Sequence, residues 1–281
     1  MLGFLYLSMM DSMPEGHVIH RLARELNKHF QGKAPRVTSP QGRFAAEAAL
    51  IHAAPFYQAH AWGKHLFIEF DAPTPERIVH IHLGLIGSLH FDPIEEAKGQ
   101  IRLRIEGDKV AANLRGPQWC RLITTEEMEV AVGKLGADPL RPDSDLSLVC
   151  QRVARSQRSI GSLLMDQRLF AGVGNIYRAE SLFRLGISPF TPGREVENLG
   201  QIWEDLVYLM QEGVRVGRID TVRPEHTPQA MGRAPRKDDH GGEVYVYRRL
   251  GQPCYVCGTP ISGQVMEGRN LFWCPTCQPR P

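Results

Sequence analysis

The stretch IGSLLMDQRLFAGVGNIYRAESLFRLGISP (160–189) holds two helical patterns joined by the turn AGVGN (171–175). Gly172-x-Gly174 invites a dinucleotide-binding reading. That reading fails because Tyr177 stands where the third glycine belongs and the preceding element is helical, not a strand. A glycine turn ahead of a helix N-terminus has another use: its backbone N–H groups and the helix dipole form a phosphate site, with Asn175 as N-cap or side-chain donor. A plain helical hairpin fits the same residues. Around this turn, from Gln151 to Gly186, six arginines (152, 155, 158, 168, 178, 184) stand against Asp166 and Glu180. On a chain whose overall net charge is only +2, such local basicity reads as one face built for an anion or as a solvated helix surface.

Upstream the text changes. Val18, Ile19, Leu22, Ala23, Leu26 and Phe30 recur at helical spacing, so 14–30 reads as an amphipathic helix ended by Gly32 and Pro35. HLFIEF (65–70), RIVHIHL (77–83), GSLHF (87–91) and QIRLRIE (100–106) read as strands broken by Gly, Pro and Asp. With no long helical pattern between them, an antiparallel sandwich or barrel is favoured. His80 and His82 face the same way on one strand; without a carboxylate or third-ligand pattern they read as packing or ligand-facing polarity, not a metal pair. After Glu126 the helical period returns, at 129–135, 147–154, 159–169, 175–185 and 201–215. The segment 223–243, rich in Pro, Gly and charge, reads as a mobile loop.

The tail runs CYVC (254–257), then sixteen residues, then CPTC (274–277). Two such pairs match a four-thiolate structural zinc site, with Cys254, Cys257, Cys274 and Cys277 as ligands and redox thiols as the other reading. Four thiolates fill the coordination sphere, so the one zinc holds shape and does no chemistry. Arg269 lies inside the intervening hairpin, either as a solvated turn residue or as a phosphate contact. Cys120 and Cys150, in apolar contexts, read as buried free thiols. The cysteine usage fits a reducing cytoplasm.

A length of 281 residues suggests about two domains, and 42% hydrophobic with 23% charged residues describe an ordinary globular chain. No apolar run approaches the roughly 18 residues needed to span a bilayer, and the first ten residues lack the basic start and cleavage site of a signal peptide.

Met13-Pro14-Glu15-Gly16-His17 carries a chemistry of its own if Met13 is the initiator. Methionine removal would leave proline as the N-terminus. About one in ten α-amino groups is neutral at pH 7, against about one in 2,500 lysines. Such an amine attacks a carbonyl-like carbon to form an iminium, with Glu15 as general acid or base. A helix with Pro at N1 explains the same residues structurally. On this reading Met1–Ser12 is a misplaced start; if retained, it makes the Pro14 nitrogen an amide.

PEGH (14–17), WGKHLFIEF (62–70), HLGLIGSL (82–89), LLMDQRLFAGVGNIYRAESLFRLGISP (163–189), RRLGQPCYVCG (248–258) and EGRNLFWCPTCQ (267–278) occur in this order. Together they closely resemble the formamidopyrimidine-DNA glycosylase/endonuclease VIII family of DNA-repair enzymes, most of all its actinobacterial endonuclease VIII-type members. The resemblance spans Pro14 to Gln278. It implies an α+β fold: an N-terminal antiparallel β-sandwich with a leading helix (14–126), a helix–two-turns–helix DNA-binding domain (127–222) and a zinc-finger β-hairpin (244–281), with 223–243 as the mobile loop and 1–13 as an extension that is removed or not native. It also implies a bifunctional DNA glycosylase and lyase working on double-stranded DNA with damaged bases or abasic sites, as a monomer, in a bacterial cytoplasm at the nucleoid. Pro14 would attack C1′ of a flipped nucleotide, Glu15 would move protons, and β/δ-elimination would cut the strand. Lys64 matches the family's β-hairpin lysine beside the lesion phosphate, Asn175 its phosphate-binding asparagine and Arg269 its zinc-finger arginine; Lys64 and Arg269 thus join the catalytic set. Leu85 sits where a wedge side chain fills the void after flipping, although a core leucine fits there too.

Two departures stand out. Val18 replaces the second glutamate of the family's usual opening. In NLRGPQWC (113–120) Arg115 is offered for the orphaned base, but the phenylalanine of formamidopyrimidine-type members is missing. This favours oxidised pyrimidines as substrates over formamidopyrimidine or oxidised guanine. A catalytically silent damaged-DNA-binding zinc protein is the reading from another class.

Overall fold

Val18, Ile19, Leu22, Ala23, Leu26 and Phe30 fall on one side of α1 (Gly16–Phe30), and all six are buried. In this computed structural model, which describes residues 14–95, 97–237 and 242–281, that stripe seals one end of a β-sandwich. Met1–Met13, and with them the expected extension, lie outside the described residues, as do 238–241 of the expected loop.

The sandwich is built from β1 (Arg36–Thr38), β2 (Phe56–Trp62), β3 (His65–Phe70), β4 (Ile78–His82), β5 (Ser88–Pro93), β6 (Leu103–Glu106), β7 (Val110–Arg115) and β8 (Trp119–Ile123), with a short α2 (Ala45–Leu50) after β1. Two four-stranded antiparallel sheets form, in the orders β1-β6-β7-β5 and β2-β3-β4-β8. Their facing residues, among them Leu66, Ile68, Val79, Ile81, Leu103, Ile105 and Leu114, share one apolar core with α1. Strands β2 and β7 carry no apolar alternation. Small Ala59 and Ala61 on β2 are buried because α1 packs across that strand. On β7, Asn113 is fully buried, accepting from Arg104 Nη1 at 2.9 Å and donating to Asp92 Oδ2 at 2.7 Å.

The remaining elements are α3 (Thr125–Val132), α4 (Ser147–Val153), α5 (Ile160–Leu163), α6 (Asn175–Arg184), α7 (Leu199–Val216) and α8 (Pro228–Met231). Helix α3 begins four residues before its expected start because Thr124 and Glu127 form a capping box. Helix α5 stops at Leu163 instead of reaching 169; beyond it, the Gln167 carbonyl accepts from Gly136 N–H at 2.9 Å, a partner outside the helix. Within 223–243, the described residues include a 3₁₀ turn (Pro224–His226) and α8. Ile160, Phe170, Ile176, Leu206 and Met210 anchor a second core, which continues through Val244–Tyr247 into the cysteine module. There β9 (Ser262–Met266) and β10 (Arg269–Trp273) form an antiparallel hairpin. No helix among the described residues is long and apolar enough to cross a membrane.

Candidate active site

The turn AGVGN delivers its backbone to a carboxylate from the other half of the molecule. Glu15, 1% exposed, accepts hydrogen bonds from Gly174 N–H (3.1 Å), Ile176 N–H (2.8 Å) and Tyr177 N–H (3.5 Å). Helix α6 has Gly174 as its N-cap and Asn175 as its first residue, without a side-chain cap of its own. Glu15 supplies that cap and meets the positive end of the helix dipole. Position 174 must be glycine for steric reasons: a Cβ there would sit 2.3 Å from Glu15 Cδ. The amides expected to cradle a phosphate are therefore used inside the protein. Gly172 N–H is also engaged, donating to Gln167 Oε1 at 3.0 Å.

Pro14, Glu15, Lys64, Asn175 and Arg269 line one cavity of about 290 Å³, and Leu85, His82 and Gln118 are also in its wall. Burial raises the Glu15 carboxyl above its ordinary range, opposed by the Lys64 charge and the three amides. Burial lowers the Lys64 ammonium; Glu15 opposes the shift and Arg269 adds to it. Both shifts run toward the uncharged form, and burial is the largest cause of each. Asn175 is 5% exposed; its amide donates to the Asn270 carbonyl at 2.8 Å, while Arg178 donates to its oxygen. Asn175 and Arg178 thus bind α6 to β10, the strand that begins at Arg269.

Leu85 is 65% exposed and Ile86 85% exposed, at the tip of the β4–β5 connection. Leu85 is therefore not a core residue, and Ile86 is a second apolar tip that the sequence reading missed. Both also line a recess with Val18, Leu22 and Leu83, which shares Pro14, Leu83 and Leu85 with the first cavity. Arg115 is not brought to the cavity: its guanidinium donates to the Lys98 carbonyl at 3.0 Å and lies 3.5 Å from Asp92.

The six arginines of 151–186 do not form one face. Arg158 and Arg168 pair with Asp166, Arg184 pairs with Asp205, and Arg178 is fully buried. The pair His80 and His82 has a third imidazole, supplied by β3: His65 Nδ1 lies 2.8 Å from His80 Nε2, and His82 stacks on Trp119. Burial lowers His65 to about 4 and His80 to about 3, so both are neutral packing groups.

The four cysteines of the tail place their sulfurs within 4.8 Å of one another, the cluster of that kind among the described residues. Cys254 and Cys277 sulfurs are 3.9 Å apart and those of Cys257 and Cys274 3.4 Å, close to the roughly 3.8 Å edge of a tetrahedron with Zn–S bonds of about 2.3 Å. The set holds a structural zinc, and the hairpin it fixes carries Arg269 to the cavity. Cys120 and Cys150 are half-buried, not sealed in the core; burial pushes the Cys120 thiol up to about 12.

Three family models match the chain: the formamidopyrimidine-DNA glycosylase N-terminal domain over residues 13–118, its H2TH domain over 135–224, and the zinc finger found in FPG and IleRS over 251–280. Endonuclease 8 1 of Mycobacterium tuberculosis is 45% identical over 277 residues, covering 95% of this chain and 100% of that protein. The probable endonuclease 8 2 of Streptomyces coelicolor is 31% identical over 283 residues, covering 96% and 95%. Among solved structures, a complex of Lactococcus lactis Fpg with abasic-site DNA superposes with a TM-score of 0.75 at 21% identity, covering 95% of this chain and 100% of that one.

Proposed function

This chain belongs to the formamidopyrimidine-DNA glycosylase/endonuclease 8 family of DNA-repair glycosylases, and on that premise we propose that it excises oxidised pyrimidines from double-stranded DNA and then cuts the strand. The observation that carries the reading is one cavity that joins Pro14 and Glu15 to Lys64, Asn175 and Arg269.

In this mechanism the nucleophile is the secondary amine of Pro14, freed when the chain begins at that residue. Its lone pair attacks C1′ of the flipped nucleotide, and the C1′–N bond to the damaged base breaks with the electrons leaving on the base. Glu15 moves a proton to the sugar ring oxygen as the ring opens, which leaves an iminium between Pro14 and C1′. Loss of a C2′ proton then expels the 3′ phosphate, and a further elimination expels the 5′ phosphate. Lys64, Asn175 and Arg269 bind the phosphates flanking the lesion. Leu85, joined by Ile86, enters the stack where the nucleotide has left. The zinc supplies only the shape of the hairpin.

In NLRGPQWC (113–120) no phenylalanine accompanies Arg115, which favours oxidised pyrimidines over oxidised guanine. Single-turnover excision on matched duplexes tests this. Thymine glycol or dihydrouracil should be released at least about tenfold faster than 8-oxoguanine, a discrimination of about 1.4 kcal/mol. The opposite ranking would assign the chain to the formamidopyrimidine specificity.

A further inference from the structure

Lys64 stands in the turn between β2 and β3, and a buried carboxylate ties that turn to the helical half of the molecule. Asp138 is fully buried. Its Oδ2 accepts from Gly63 N–H at 2.7 Å and lies 2.7 Å from His20 Nε2 on α1, while Oδ1 accepts from Leu140 N–H at 2.9 Å. Two further ties flank it: Trp62 Nε1–H donates to the Gly136 carbonyl at 3.1 Å, and the Arg141 guanidinium covers the Trp62 ring at 4.3 Å. Beneath the turn three backbones meet at glycines. A Cβ on Gly63 would lie 3.0 Å from Gly172 N, and one on Gly16 would lie 2.9 Å from Gly172 Cα. Gly63 also has φ +58°, a left-handed conformation that suits glycine.

We infer that Asp138 is a positioning residue for Lys64: by gripping the Gly63 amide from across the lobe boundary, it sets where the Lys64 ammonium stands in the cavity. A short, charge-assisted bond to a buried carboxylate is among the stronger and more directional ties available to a turn. The residues that meet at the glycine contact each adjoin a working group, with Gly16 next to Glu15, Gly63 next to Lys64 and Gly172 close to Asn175. A shift of the turn by a fraction of an ångström therefore changes the distance between Lys64 and a bound phosphate. The inference rests on the reading of Lys64 as a phosphate contact.

The test is a double-mutant cycle read as the affinity for a duplex carrying a tetrahydrofuran abasic analogue. Asp138→Asn should weaken binding about tenfold in the wild-type background and less than about twofold in Lys64→Ala, because the tie acts through the lysine. Gly63→Ala disturbs the same turn from its other side and should show the same background dependence, which covers the case in which Asp138→Asn does not fold. Ser144→Ala removes a hydroxyl bonded to the Asp138 backbone, not its carboxylate; it should lower the melting temperature and leave affinity unchanged. Equal losses in both backgrounds would make Asp138 a structural tether only and overturn the inference. Unchanged binding by Lys64→Ala alone would overturn the phosphate reading of Lys64 and this inference with it.

Discussion

Two buried glutamates in this molecule do the same thing to the backbone and end in different places. Glu15 accepts three amides at the start of α6. Glu180, in the middle of that helix, accepts Tyr245 N–H (2.7 Å), Val246 N–H (2.8 Å) and Tyr247 N–H (2.8 Å), with Thr221 Oγ1–H at 2.5 Å. Helix α6 is thus clamped by one carboxylate and clamps the approach to the zinc module with another. The bonds to Glu180 are uniformly short and nothing but protein surrounds it. Those to Glu15 run out to 3.5 Å, and its other side meets a cavity holding a lysine and an arginine. Nesting on three amides makes neither carboxylate catalytic. The open side, the cation and the adjacent Pro14 separate Glu15, to which the proposed mechanism gives proton transfer, from the structural pin Glu180.

The sharpest way to break this contrast is to neutralise each glutamate in turn. Glu15→Gln should slow base excision by about a hundredfold or more, the range of a lost general acid or base, with abasic-analogue binding retained. Glu180→Gln should instead lower stability by about 3 kcal/mol through the unsatisfied amides and leave single-turnover excision by the folded protein within about threefold. Comparable excision losses in both variants would erase the distinction. Next in size, Cys274→Ser should release the zinc and with it Arg269's placement, cutting DNA affinity about tenfold or more; zinc-free protein with full affinity would detach the finger from the site. Lys64→Ala and Arg269→Ala should each reduce the salt dependence of binding by about one phosphate's worth, read as the slope of log K against log salt.

The last effect expected is on pH and is read as stability, not as activity. His17, two residues beyond Glu15, is held by burial at about 3 against 6.5 when free. A depressed histidine stabilises the fold above its unfolded value and loses that contribution as pH falls from 6.5 toward 3. The loss is at most about 1.4 kcal/mol per pH unit. Melting curves between pH 7 and 4 should show the decline, and His17→Phe should flatten it; an unchanged slope would move the acid sensitivity to other groups, such as His65 and His80.

What the sequence made legible follows the physics of each feature. The stripe on α1 and strands β3 and β4 have clean periods and stand where expected. Strands β2 and β7 escaped because Ala59, Ala61 and Asn113 are buried by a close helix and by side-chain hydrogen bonds, neither of which leaves a hydrophobic period. The cysteine spacing fixed the zinc ligands because four sulfurs in two tight turns have few other uses. The AGVGN turn was readable as a set of available amides, but not the identity of their acceptor, since Glu15 lies 159 residues away in the chain. Asp138 was equally silent: only the fold brings it to Gly63. The contacts of Arg115 with Asp92 and the Lys98 carbonyl are announced by no local pattern.

Borohydride trapping shows whether a Pro14 amine, placed beside the Glu15 clamp, reaches C1′. Protein whose chain begins at Pro14 after methionine removal, set beside the 281-residue chain, should be incubated with a thymine glycol duplex and reduced. The expected result is a covalent protein–DNA adduct that maps to Pro14 and forms only with the shorter chain. No adduct with either chain, on thymine glycol or on an abasic site, or one that maps to Lys64, would contradict it.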